Sequence, residues 1–288
     1  MNDPIWLDRN EYPFESRFWQ LPAGKMHYID VGSGNPIVFV HGIPTWSFLY
    51  RRLIRHLSEQ HRCIAIDHLG FGLSDKPTTF SYHPQALASH LETLINGLDL
   101  RNITLVVHDW GGSIGLPYAL RYPHNVQRMI LFNTWMWSIK GDQRAERFAA
   151  LLTGPWYSLL NRWCQITTRV FVPQSYVDKT KLTPTIHRHY IEPLRHYDDQ
   201  KGAQMLARAI LWADDTMAGL WEQRQQLATI PTLILWGLRD MAFSRQDMQR
   251  WADLFAQGQV HPFDHVGHFP QEELEPQVLY PLVDAFLA

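Results

Sequence analysis

The sequence predicts an α/β fold: a mostly parallel sheet with helices on both faces and one inserted all-helical segment. Short, nearly wholly apolar runs recur along the chain, amphipathic stretches of helical spacing separate them, and one long stretch has helical patterns but no strand. Apolar runs of four or five residues suit central parallel strands, which are buried on both faces and so do not alternate. The runs are Ile37–Val40, Cys63–Ile66, Thr104–Val107, Met129–Phe132 and Thr232–Trp236, with a further strand candidate at Val260–Phe263. Leu49, Leu53, Ile54 and Leu57 share one helix face, and Leu87, Leu91, Leu94, Ile95 and Leu98 another. Strands alternating with helices imply a parallel sheet joined by right-handed crossovers.

From about Trp137 to Trp212 the rhythm stops. Ser138–Leu152, Trp156–Thr167, Pro184–Leu194 and Gln200–Trp212 are helix candidates, with turn material such as Thr153-Gly154-Pro155 between them. The expected division is a core of residues 1–136 and 213–288 and a helical cap of residues 137–212. The cap is expected over the carboxyl ends of the strands, where open α/β sheets bind ligands.

Composition excludes several function classes. The chain has 288 residues, 26 basic and 28 acidic side chains and a net charge of -2, so no basic excess exists to neutralise a nucleic-acid backbone. Apolar runs stop at five residues, far below the roughly 18 of a membrane span, so no membrane partner is expected. The N-terminal residues lack the pattern of a secretory signal, and two cysteines, Cys63 and Cys164, are no disulfide framework. Together these predict a cytoplasmic protein. Fifteen histidines invite a metal reading, but no His-Glu-x-x-His or Cys-x-x-Cys spacing supports one, and no metal is expected.

The most informative segment is Leu105–Gly112. A buried strand ends at Val107 or His108, Asp109 follows at once, and Gly111 and Gly112 open a helix that reaches Arg121. Strand, tight turn and helix with small residues after the turn form a nucleophile elbow, whose apex residue points into a pocket above a helix N-terminus. The apex here is Asp109, a carboxylate that needs no base to become a nucleophile. The plainer reading of Asp109 is a helix N-cap. Pro117 removes one hydrogen bond from the helix and is expected to kink it.

Two further segments meet this one. His41-Gly-Ile-Pro-Thr-Trp46 follows a strand, where the backbone N–H groups of Ile43 and Trp110 can form an oxyanion hole. Asp240 lies just after Thr232–Trp236, and His268 sits on a Gly-containing loop before the last helix. The order Asp109, Asp240, His268 is nucleophile, acid and base in the chain order of an α/β-hydrolase triad.

With His108-Asp-Trp-Gly-Gly112, Asp67–Pro77 and Gly42–Arg51 as its most specific pieces, the chain resembles the haloalkane dehalogenase family of α/β-hydrolases from Tyr12 to Glu272. The resemblance implies Asp109 as nucleophile, His268 as base, Asp240 as its partner and Trp110 as the first halide-binding indole. A carboxylate beside an indole N–H suits displacement at saturated carbon with an anionic leaving group, followed by hydrolysis of the alkyl ester by water that His268 deprotonates. The expected partners are a small halogenated alkane, water and a halide ion, and no cofactor is needed. One branch of the family carries Asn where this chain has Ile43, so a second halide donor must come from elsewhere. Trp135, Trp137, Trp156 and Trp163 are available, and Trp135 is favoured because it lies just past a strand end. Asn133 occupies a position that holds the acid in another branch, which strengthens the assignment to Asp240 and leaves Asn133 to donate a hydrogen bond to the site or to tie the loop.

Three alternatives use the same fold. An epoxide hydrolase would need cap tyrosines as acids, and Tyr157, Tyr176, Tyr190 and Tyr197 are present. A β-lactone decarboxylase would need no strong halide site, consistent with Ile43, and the segment Tyr12–Ser16 resembles that subgroup. A non-catalytic binding protein would not require the triad.

Overall fold

A computed structural model describes residues 3–288, the side chain of Ser158 excepted. The strands are β1 (Arg17–Leu21), β2 (Gly24–Val31), β3 (Pro36–Val40), β4 (Arg62–Ile66), β5 (Ile103–Asp109), β6 (Val126–Thr134), β7 (Thr232–Gly237) and β8 (Gln259–Phe263). They form one sheet in the order β1-β2-β4-β3-β5-β6-β7-β8. β2 is antiparallel to β1 and β4, and every other neighbouring pair is parallel. The six expected strands are β3 to β8. The β1–β2 hairpin was not expected, because the edge strand β1 is half solvated with no apolar run and the buried centre of β2 carries His27 among its apolar residues.

Helices α1 (Arg51–Leu57), α2 (Pro84–Gly97) and α3 (Trp110–Arg121) precede β6. Between β6 and β7 lie α4 (Gln143–Thr153), α5 (Pro155–Cys164), α6 (Val172–Ser175), α7 (Pro184–Ile191), α8 (Lys201–Trp212) and α9 (Asp214–Glu222). After β7 come α10 (Arg245–Leu254), α11 (Pro270–Glu273) and α12 (Pro276–Leu287). The period of two in each strand sorts the core into two layers. Val38, Leu105, Val107 and Leu131 pack with α2, α3 and α10, whereas Ile37, Phe39, Val106 and Ile130 pack with α1 and α12.

Local chemistry corrects several expected helix ends. The Asp142 carboxylate accepts from the N–H groups of Arg144 and Ala145, so α4 starts later than Ser138. Gln165 adopts a left-handed conformation (φ 50°), which ends α5 at Cys164 rather than Thr167. α3 continues through Pro117 and begins at Trp110, one residue before the expected glycines.

The elbow depends on missing side chains. A Cβ on Gly111 would stand 2.1 Å from the Val40 carbonyl oxygen, and one on Gly112 would stand 2.0 Å from Thr134 Oγ1. β3, β5, β6 and α3 therefore meet with only glycine between them. Gly111→Ala is expected to destabilise the fold by about 2 kcal/mol or more, because the clash is with backbone and cannot be relieved by a rotamer change. Urea denaturation checks this. An unchanged midpoint would mean that the elbow is not constrained there.

Candidate active site

Each expected site residue lies on the carboxyl side of its strand: Ile43 after β3, Asp109 at the end of β5, Trp135 after β6, Asp240 after β7 and His268 after β8. The structure brings all of them, with Trp110, to one cavity of about 120 Å³. Its remaining wall is mostly apolar, including Ile139, Phe148, Leu152, Ile210, Phe243 and Phe269.

Asp109 has φ 53° and ψ -128°, a left-handed backbone that a side chain rarely adopts. The N-cap reading fails, because its carboxylate makes no capping bond to α3. Instead, Asp109 Oδ1 accepts from the Ile43 backbone N–H at 2.8 Å. Gly42 permits this approach, since a Cβ there would lie 2.1 Å from Asp109 Oδ1. The Thr134 hydroxyl donates to the Asp109 carbonyl oxygen at 2.6 Å and fixes the turn from the β6 side. Burial drives the Asp109 pKa up to about 6, against His268 and the backbone N–H groups of Trp110 and Ile43, which favour the anion.

His268 Nδ1 lies 2.8 Å from Asp240 Oδ2. Its Nε2 lies 3.8 Å from Asp109 Oδ2, beyond a direct hydrogen bond. Burial opposes charge on His268, but the carboxylates of Asp240 and Asp109 outweigh it and raise its pKa. Asp109 Oδ1 thus faces a backbone donor, while Oδ2 faces the histidine.

Trp110 and Trp135 both line the cavity, with ring centroids 4.7 Å apart and planes near perpendicular. Among the described residues, neither indole N–H donates to a protein acceptor. The Ser113 hydroxyl donates to the Trp135 carbonyl at 2.8 Å and ties that residue to α3. Trp137 packs against Trp221 and Trp251. Trp156 and Trp163 are exposed and outside the cavity wall.

The α/β-hydrolase fold family matches residues 35–274. Haloalkane dehalogenase 2 of Mycobacterium tuberculosis is 32% identical, with 97% of each chain covered. The chain belongs to the haloalkane dehalogenase family of α/β-hydrolases. It is also similar to a cis-3-alkyl-4-alkyloxetan-2-one decarboxylase of Shewanella oneidensis, at 34% identity over 93% of this chain and 86% of the relative. Among solved structures, a variant of the haloalkane dehalogenase DatA of Agrobacterium tumefaciens C58 superposes with a TM-score of 0.83 at 26% identity, covering 95% of this chain and 96% of the other.

Sequence reasoning left Asn133 between two uses, and this member of the haloalkane dehalogenase family combines them. Its amide nitrogen donates to Asp240 Oδ2 at 2.8 Å and to the Gly237 carbonyl at 2.9 Å, while its oxygen accepts from the Gly237 N–H. The Ala242 N–H donates to Asp240 Oδ1 at 2.7 Å. Glu273 was missed altogether. Its carboxylate accepts from the N–H groups of Gly267 and Val177, both at 2.8 Å, and so ties the His268 loop to the segment after α6. The His268 N–H also donates to the Ser175 carbonyl at 3.0 Å. Only spatial proximity identifies partners such as Val177 for Glu273 and Ser175 for His268, which lie more than ninety residues away in sequence.

Asp240→Asn removes a carboxylate that favours His268 protonation and leaves the burial that opposes it. The His268 pKa is therefore expected to fall below the wild-type value. Titration of the ring resonances by NMR would measure it, and an unchanged or higher value would contradict the role given to Asp240.

Proposed function

We propose that the protein hydrolyses haloalkanes to alcohol and halide through an ester on Asp109. The observation that carries this reading is a buried carboxylate on a strained elbow at a mostly apolar cavity, lined also by Trp110 and Trp135, whose indole N–H groups have no protein acceptor among the described residues. Asp109 Oδ2 attacks the halogen-bearing carbon, the carbon–halogen bond breaks, and the halide leaves with its electron pair. Trp110, with Trp135 as second donor, stabilises the halide in a site where water does not compete. Residues 137–212 act as the cap that keeps the site dry. Oδ1 becomes the ester carbonyl oxygen, and its contact with the Ile43 N–H supports an oxyanion hole built from Ile43 and Trp110.

In the second step His268 takes a proton from water, and the resulting hydroxide adds to the ester carbonyl carbon. Collapse expels the alkoxide, which takes the proton of the newly formed Asp109 carboxyl group and leaves as the alcohol, so that the carboxylate is restored and His268 gives its proton to solvent. Asp240 holds the imidazole tautomer that presents Nε2 as the base, and it stabilises the imidazolium that follows. Every group in the cycle is a side chain or backbone N–H of this chain.

Epoxide opening is less well supported. Of the four tyrosines considered, Tyr157 lines the cavity, but its hydroxyl is within 2.6 Å of Thr167 Oγ1. The Tyr190 hydroxyl donates to Glu272, Tyr176 is buried outside the cavity wall, and Tyr197 is exposed. A β-lactone reading has in its favour the 34% identical decarboxylase relative and the segment Tyr12–Ser16. Ile43 is compatible with it, whereas the paired indoles favour halide.

The deciding experiment compares bromide release from 1-bromobutane, diol formation from styrene oxide and carbon dioxide release from a cis-3,4-dialkyloxetan-2-one. Bromide release as the fastest reaction is expected. Carbon dioxide as the fastest product would replace this reading with the decarboxylase one. Trp135→Phe should weaken bromide binding about tenfold or more, in line with roughly 1.5–3 kcal/mol for a hydrogen bond to a charged group. Fluorescence quenching by bromide reports it, and unchanged affinity would remove Trp135 from the site.

A further inference from the structure

α5 separates two apolar environments. On one side Tyr157 is buried and forms part of the cavity wall. On the other side Trp156, Leu159, Leu160 and Trp163 follow the i, i+3, i+4, i+7 spacing of a single helix face. They are 74%, 47%, 42% and 73% exposed, and Leu151 at the end of α4 is 57% exposed. A surface helix ordinarily turns its apolar stripe inward, but this one turns a tryptophan-rich stripe outward.

The charge along the chain segment that carries the stripe has one sign, although Asp198 and Asp199 adjoin Tyr197 outside it. Residues 147–177 contain Arg147, Arg162 and Arg169 and no Asp or Glu, within a chain of net charge -2. All three arginines are exposed. The Arg162 guanidinium lies 5.5 Å from the Trp163 ring and 4.5 Å from the Tyr197 ring, so a cation stands at the edge of the apolar face. Amphipathic indoles sit well at the headgroup level of a bilayer, and flanking cations add attraction to anionic headgroups.

We propose that this face of α5 adsorbs to the surface of an anionic phospholipid bilayer, with Trp156 and Trp163 at headgroup depth and α5 itself standing between the lipid and the Tyr157 wall of the cavity. A second copy of the chain is a poorer occupant. A 10-residue helix is about 15 Å long and, at roughly 10 Å wide, offers on the order of 150 Å². A stable dimer buries about 800 Å² per partner. Adsorption needs no span, and among the described residues no helix is long and apolar enough to cross a membrane. The expectation of no membrane partner rested on the missing span alone. The proposal does not depend on the reaction assigned to Asp109.

Cosedimentation with vesicles tests it. The full chain is expected to bind mixed phosphatidylcholine–phosphatidylglycerol vesicles at low ionic strength and to release them as salt rises. The double variant W156S/W163S should lower the partition coefficient about tenfold or more. These side chains are exposed, so its thermal melt should match that of the wild type. The triple variant R147Q/R162Q/R169Q tests charge independently: its binding to mixed vesicles should fall to the level seen with pure phosphatidylcholine. Absence of wild-type binding, or wild-type binding by both variants, would overturn the proposal. So would a concentration-dependent dimer that W156S/W163S dissolves while vesicles bind neither form.

Discussion

The left-handed backbone at Asp109 is the constraint on which the site depends. A strand that turns into a helix within one residue leaves no room for side chains where the elements meet. Gly42, Gly111 and Gly112 each fill a place where a Cβ would stand about 2 Å from another atom. That crowding brings β3, β5 and β6 together at their carboxyl ends. The carboxylate is thereby pressed against the Ile43 N–H and makes no capping bond to α3. Strain at one residue is held by a surrounding structure that has few alternatives.

The electrostatics follow from that placement. A carboxylate at the surface would be well hydrated and a poor nucleophile. Burial raises the Asp109 pKa to about 6, while neighbouring donors keep the anion accessible near neutral pH. The same burial would discharge His268, but Asp240 opposes it, and Asn133 and the Ala242 N–H hold Asp240 in place. Two groups in one desolvated pocket thus keep separate roles because each has its own second partner.

Much of this was legible in the sequence, for identifiable reasons. Central strands announce themselves because burial on both faces favours apolar residues, as in the buried run Leu105–Val107 of β5. The elbow was legible because close approach demands glycine. The β1–β2 hairpin was not, since a half-solvated edge tolerates mixed polarity. Asn133 was read as a donor near the site but could not be assigned to Asp240, and Glu273 gave no signal, because the contacts Asn133–Asp240 and Glu273–Val177 each span more than ninety residues. The outward face of α5 was also hidden. Its spacing reads as an ordinary amphipathic helix until the fold shows which side is turned to solvent.

The account stands or falls on an ester at Asp109, and replacing the base isolates it. In His268→Phe, attack on 1-bromobutane needs no base and should proceed, while ester hydrolysis should stall. The expected result is a burst of about one bromide per active site, a protein heavier by one butyl group, and that group on the peptide carrying Asp109. Continued multiple turnover, or a butyl group on any other residue, would contradict the mechanism.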